Sequence, residues 1–190
     1  MKAGSVATHP SPKLASVIAW RSPVSGALRI SGSIADAHPE CGNGVTWPLE
    51  LRRGHTREHL AKGSSKGAEV VEMGRFENVR VLPGDVIAVV IGPRDGEHTC
   101  DLTTVDLTVN DGHHEWDLAK EVSPNILAGN PHADSHGHAN VWYFLGEPPL
   151  VDRGPKLPAG SLLAKWRIAS SDAGRPSLGG EVQHVIMGQV

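Results

Sequence analysis

Basic clusters, cysteines, long apolar runs and catalytic signatures are all scarce in this chain. Its 18 lysines and arginines are scattered over 190 residues, Arg52-Arg53 is the only adjacent pair, and the formal net charge is −3. A phosphate backbone is held by a concentrated basic surface, so the composition argues against nucleic acid as the main partner. No stretch approaches the roughly eighteen apolar residues of a membrane span. Met1 to Lys13 has no apolar h-region, so no signal peptide is visible, and the chain is either cytoplasmic or cut from a longer precursor. There is no Gly-x-Ser-x-Gly nucleophile elbow, no twelve-residue EF-hand loop and no βαβ alternation.

Cysteine occurs twice, at Cys41 and Cys100, each among turn residues. Neither stands in a Cys-x-x-Cys pair, which disfavours a structural zinc site. The two thiols could be free and buried, share a metal or form a disulfide. A Cys41–Cys100 disulfide would stabilise the fold by about 4 kcal/mol in the chain-entropy model and would imply an oxidising compartment.

The chain is rich in turn formers, with 22 glycines and 14 prolines. Between them lie short segments of strand periodicity. Ala27 to Ile34 places Leu28, Ile30 and Ile34 on one face. In Gly44 to Arg52, Val45, Trp47, Leu49 and Leu51 share one face, and Pro48 predicts a sheet edge or a bulge. Val86 to Ile91 is a continuous, largely β-branched run that predicts a core strand. Val17 to Trp20, Ala68 to Met73, Phe76 to Leu82, Cys100 to Val109 and Val141 to Leu145 complete the strand set. Met1 to Pro12 reads as a loose arm and Gly54 to Gly67 as a polar loop. Seven or eight strands at this spacing predict an all-β, antiparallel sandwich of jelly-roll type over residues 14–146. Residues 147–190 read as a Pro/Gly-rich linker, a short C-terminal helix from Ser161 to Ala169 with Leu162, Leu163 and Trp166 on one side, and a small, polar tail.

A series of short motifs runs through the ordered part: Ala19-Trp-Arg-Ser-Pro-Val-Ser-Gly26, Cys41-Gly-Asn-Gly-Val45, Val79-Arg-Val-Leu-Pro-Gly-Asp85, Cys100-Asp-Leu-Thr-Thr-Val-Asp-Leu-Thr108, Trp116-Asp-Leu-Ala and Asn130-Pro-His-Ala-Asp134 leading to Val141-Trp-Tyr-Phe144. With the tail motif Leu157-Pro-Ala-Gly-Ser-Leu-Leu-Ala-Lys-Trp-Arg167, this order resembles the β-sandwich modules of planctomycete-type cytochrome-c-containing cell-surface proteins. The resemblance implies a fold like that of jelly-roll carbohydrate-binding modules, glycan attachment or display at a cell surface, and often a structural calcium. The chain has no Cys-x-x-Cys-His haem motif, so a cytochrome partner would be a separate domain or chain.

Two clusters carry the polar chemistry. In His132-Ala-Asp-Ser-His-Gly-His138, residues His132, Asp134, His136 and His138 alternate, and an extended segment would point all four the same way. Imidazole with carboxylate suits a transition metal rather than calcium. Asp101 and Asp106 bracket a strand with Asp95, Asp111 and Asp117 nearby, and hard oxygen ligands of this sort, with Asp134 as a further candidate, would serve calcium. The alternative for both is ordinary solvated turn chemistry. Among the aromatics, Trp47 is expected in the core, and Trp142 and Tyr143 on opposite faces. Trp116, in His113-His-Glu-Trp-Asp117, is the candidate exposed platform for a sugar ring, with His113, Asp117, Asn130, His132 and Asp134 around it; plugging the end of the sandwich is its other reading. The sequence therefore predicts a non-catalytic, extracytoplasmic carbohydrate-binding module whose partner is a polysaccharide or glycan. The alternatives are a cupin-like metal enzyme using His132 to His138, with a transition metal in place of calcium, and a structural packing module.

Overall fold

The computed structural model describes residues 4–148, which form two antiparallel five-stranded sheets. The first holds β1 (Val6–Thr8), β8 (Thr103–Asn110), β3 (Gly26–Asp36) and β6 (Val71–Val81) in that order. β9 (Glu115–Asp117) pairs with β8 beyond the stretch that β1 occupies. The second sheet runs β10 (Trp142–Glu147), β2 (Ala15–Arg21), β7 (Val86–Pro93), β4 (Val45–Arg53), β5 (Thr56–Ser65). The first strand pairs with the eighth, the second with the seventh, the third with the sixth and the fourth with the fifth. That is one long antiparallel ribbon rolled into two sheets, the jelly roll expected from the sequence.

Alternation builds the core. Leu28, Ile30, Ile34, Val105, Leu107 and Val109 from one sheet meet Ile18, Trp20, Leu49, Ile87, Val89 and Ile91 from the other. Each such buried side chain contributes about 1.5–3 kcal/mol of transfer free energy. Trp20, Trp116 and Trp142 are fully buried, and Trp47 is nearly so. β7 is apolar on both faces, as its continuous run predicts. Its second face joins Ala15, Val17, Ala19, Ala88 and Val90 in a smaller cluster flanked by Tyr143 and Leu145.

Several local expectations change. Met1 to Pro12 is not wholly a loose arm, because Val6–Thr8 pairs with β8. The polar stretch 54–67 contains a full strand, β5. It lies at the sheet edge, so only Leu60 and Ala61 touch the core and no apolar alternation marks it. Gly63 fits there because any Cβ would come 2.7 Å from the Trp47 ring. The two strand candidates around Gly74 are one strand, bent at irregularities where its register with β3 shifts. Pro48 sits between two neighbours, so of its two expectations the irregular ladder holds and the edge does not. The β4–β7 ladder lapses at Trp47 and Pro48, and the β4–β5 register shifts just after them. The short C-terminal helix expected at Ser161 to Ala169 lies outside the described residues. The helix that is seen, α1 (Leu118–Val122), follows β9 and is capped by Asp117, which accepts from the Lys120 N–H at 3.1 Å.

Candidate functional site

Some of the expected site residues, Asp134 and His136 among them, gather at Trp116, but not in the expected roles. Trp116 is not an exposed platform. β9 pairs with β8 and turns its indole inward against Trp20, with ring centroids 5.0 Å apart. Its Nε1–H donates to Asp134 Oδ2 at 2.7 Å. The same oxygen accepts from His138 Nδ1 at 2.7 Å, and Oδ1 accepts from the backbone N–H groups of His136 and His138. Four donors saturate a carboxylate. The Asp134 side chain is fully buried. It therefore ties the β9 strand to the histidine loop. Burial alone would raise its pKa, but the Trp116 and His138 hydrogen bonds outweigh that and hold it below the ordinary carboxylate range.

The segment around Asp134 is a turn and not an extended strand. Asp134 N–H donates to His138 O at 3.0 Å, and Gly137 takes a positive φ of 93°. Alternate residues therefore diverge. His132 turns inward, 7% exposed, with Nε2 3.0 Å from Ile126 O and its ring edge-on to Phe144. Asn130 is occupied with the backbone of Phe144 through both side-chain atoms. Asp117 caps α1 and pairs with Lys120 at 2.9 Å, and His113 is exposed.

The residues expected to share a cation do not meet. Asp101 is buried beside the Cys41–Cys100 disulfide. Asp106 stands on the outer face of the first sheet, 3.5 Å from the Ser33 hydroxyl. Asp134 and His136 lie at Trp116. Among the described residues, only His38, Cys41 and Cys100 bring three metal-ligand atoms of His, Cys, Asp or Glu within 4.8 Å of one another.

What the end of the sandwich does present is a set of oriented imidazoles. His114 Nδ1 lies 3.2 Å from Asp111 Oδ2, and Asp111 Oδ1 accepts from the N–H groups of His113 and His114. Burial opposes ionisation of Asp111, yet these donors hold its pKa below the ordinary range. His136 Nε2 lies 3.1 Å from Glu115 O, and its ring is 4.8 Å from His114 and 5.4 Å from Trp116. A carbonyl or carboxylate only accepts, so each partner assigns the N–H of the neutral ring. His114 Nε2, His138 Nε2 and His136 Nδ1 are left carrying lone pairs. His114, Asp111 and Glu115 are members of this cluster; the sequence reading names Asp111 only as a carboxylate near the candidate calcium ligands and does not single out the other two. Asp111-Gly-His-His, an Asx-type turn, is the signal that could have found the first two.

Glu121 plays for Trp142 the part that Asp134 plays for Trp116. One oxygen accepts the Trp142 indole N–H and the other the Ser135 hydroxyl at 2.7 Å. The two acids fasten two core tryptophans to the histidine loop.

A second polar cluster covers the outer face of the β10-β2-β7-β4-β5 sheet. Glu50 is completely buried there, with Arg52 Nε at 2.7 Å and His59 Nε2 at 3.3 Å. Glu147, on β10, reaches Arg52 at 2.5 Å and Arg57 at 3.0 Å. Flat strands would set β10 and β4 roughly 14 Å apart. These ion pairs join β10 to β4 and β5 across the two strands between them.

No protein-family model matches the chain, and no match was found among curated proteins or solved structures.

Proposed function

We propose that this domain is a non-catalytic carbohydrate-binding module that works outside the cytoplasm. The observation that carries the reading is the cluster of His114, His136 and His138. Each ring is held by a protein acceptor that leaves one nitrogen lone pair unused, and all three lie on the partly or fully exposed end of the domain. Fixed acceptors beside the exposed Glu115 carboxylate and the Lys120 ammonium suit the alternating donors and acceptors of sugar hydroxyls. Ser135, the hydroxyl in this loop, is committed to Glu121 and not to an imidazole, which speaks against nucleophilic chemistry here. The Cys41–Cys100 disulfide fits an oxidising compartment, and no described helix is long and apolar enough to cross a membrane. A glycan-bearing cell surface, with a cytochrome-containing domain or chain as neighbour, is the setting that the family resemblance adds.

One observation favours a second reading. Carboxylate-oriented imidazoles are also how transition-metal ligands are prepared. Calcium is less well served, because Asp134 has no oxygen lone pair to spare. A glycan-array screen of the purified chain, run with and without chelator beside elemental analysis, separates the readings. Glycan retention that survives chelation and is lost in the His114→Ala/His136→Ala double variant is the expected result. Stoichiometric transition metal lost on His136→Ala, with no glycan retained, would replace it with the metal reading.

A further inference from the structure

The Cys41–Cys100 disulfide joins the β3–β4 loop to the β7–β8 loop, with Cα atoms 5.7 Å apart. An exposed imidazole stands against it, His38 Nδ1 lying 3.0 Å from Cys41 Sγ. The His38 position is itself fixed, since its backbone N–H donates to Asp36 Oδ1 at 2.7 Å. The two sulfurs and the imidazole nitrogen all fall within 4.8 Å of one another. A tetrahedral zinc, with bonds of about 2.3 Å to sulfur and 2.0 Å to nitrogen, sets its ligand atoms roughly 3.5–3.8 Å apart. Rotation of two freed cysteine side chains spans that difference.

A second buried group, with His9 and His98 as its nearby basic neighbours, lies beside the cluster. Asp101 follows Cys100 directly and is 2% exposed, and its Oδ2 has no hydrogen-bond partner. It borders the disulfide loop: a Cβ placed on Gly42 would lie 3.4 Å from both Asp101 Oδ1 and Cys100 Cβ. A buried carboxylate with an unpartnered oxygen is costly unless positive charge offsets it.

We propose that His38, Cys41 and Cys100 form a transition-metal site that is closed while the disulfide is intact and opens on its reduction, taking a zinc-class divalent ion. The reductant is a dithiol. It gives two electrons and two protons to the disulfide, the Sγ–Sγ bond breaks, Cys41 and Cys100 become thiols, and the dithiol closes to its own disulfide. Metal binding then releases both thiol protons to solvent, because the thiolate is the ligand. This site is separate from the histidine cluster at Trp116, and it stands whether or not that cluster binds a glycan.

The test is a titration of the full chain with Co²⁺, before and after reduction by a dithiol that is then removed without oxygen. The expected result is one Co²⁺ per chain showing a thiolate-to-cobalt charge-transfer band, present only after reduction and displaced by Zn²⁺. His38→Ala should weaken this binding by at least roughly tenfold. The thiolate band separates the site from any histidine-only binding. No such band in a reduced chain that keeps its near-UV circular dichroism overturns the proposal, as does unchanged affinity in His38→Ala. If reduction abolishes the near-UV signal, Zn²⁺ must restore it, and failure to do so overturns the proposal equally.

Discussion

The indole N–H of Trp116 and the carboxylate of Asp134 meet at 2.7 Å, and both side chains are fully buried. Through this one bond the β9 strand and the histidine loop become a single unit. Asp134→Ala would leave the indole N–H and two loop N–H groups without their acceptor. A lost buried acceptor for several donors costs about 2–4 kcal/mol. We expect a urea-unfolding midpoint lowered accordingly, while His138→Ala, which removes a 39% exposed ring, should cost under about 1 kcal/mol. Equal effects of the two variants would remove Asp134 from its central place.

Acid should act on the same bonds. Asp111 and Asp134 have pKa values lowered in the folded chain. A lowered folded value contributes stability that is complete above the unfolded value, near 3.8 for Asp, and is lost as pH falls through the folded value. Wild-type stability should therefore drop below about pH 3.8 more steeply than that of Asp134→Asn. Thermal unfolding between pH 2 and pH 5, a range set by that value, is the measurement.

Asp101 should behave in the opposite sense. Burial is the largest influence on it and raises its pKa. A raised folded value means that stability is fully present below the unfolded value and declines as pH rises through the folded one. Asp101→Asn should stabilise the oxidised chain at neutral pH, and the gain should vanish below about pH 3.8. A loss of melting temperature at neutral pH would show that its carboxylate is paired after all.

Arg52 is the centre of the charged cluster, joined to Glu50 at 2.7 Å and to Glu147 at 2.5 Å. Glu50 is wholly buried, so Arg52→Ala strands a carboxylate with only Arg57 and His59 left near it. We expect a loss of about 3 kcal/mol in chemical denaturation. Arg52→Ala with Glu50→Gln should recover much of it, because the stranded charge and not the missing pair is the main cost.

The sequence carried most of the sandwich because its core strands alternate or run apolar between turn residues. Val45, Trp47, Leu49 and Leu51 announce β4, and Val86 to Ile91 announce β7. β5 stayed hidden because a polar edge strand needs no apolar face. The helix α1 stayed hidden because five residues show little periodicity. The histidine end was legible as composition and not as geometry. Reading His132 to His138 as extended missed the turn that Asp134 and Gly137 impose. Trp116 sits among polar neighbours in sequence, so it reads as exposed. The acceptor that lets it bury its N–H stands 18 residues further on. Such a pairing belongs to tertiary structure, as does the meeting of Glu147 with Arg52 across 95 residues.

Titration calorimetry of the full chain with the glycan that the array retains best tests the central claim most directly. Saturable binding in chelator is expected, weakened at least about tenfold by His114→Ala/His136→Ala, the loss of one or two directed hydrogen bonds. Unchanged affinity in a folded double variant, or no heat of binding with any retained glycan, would contradict it.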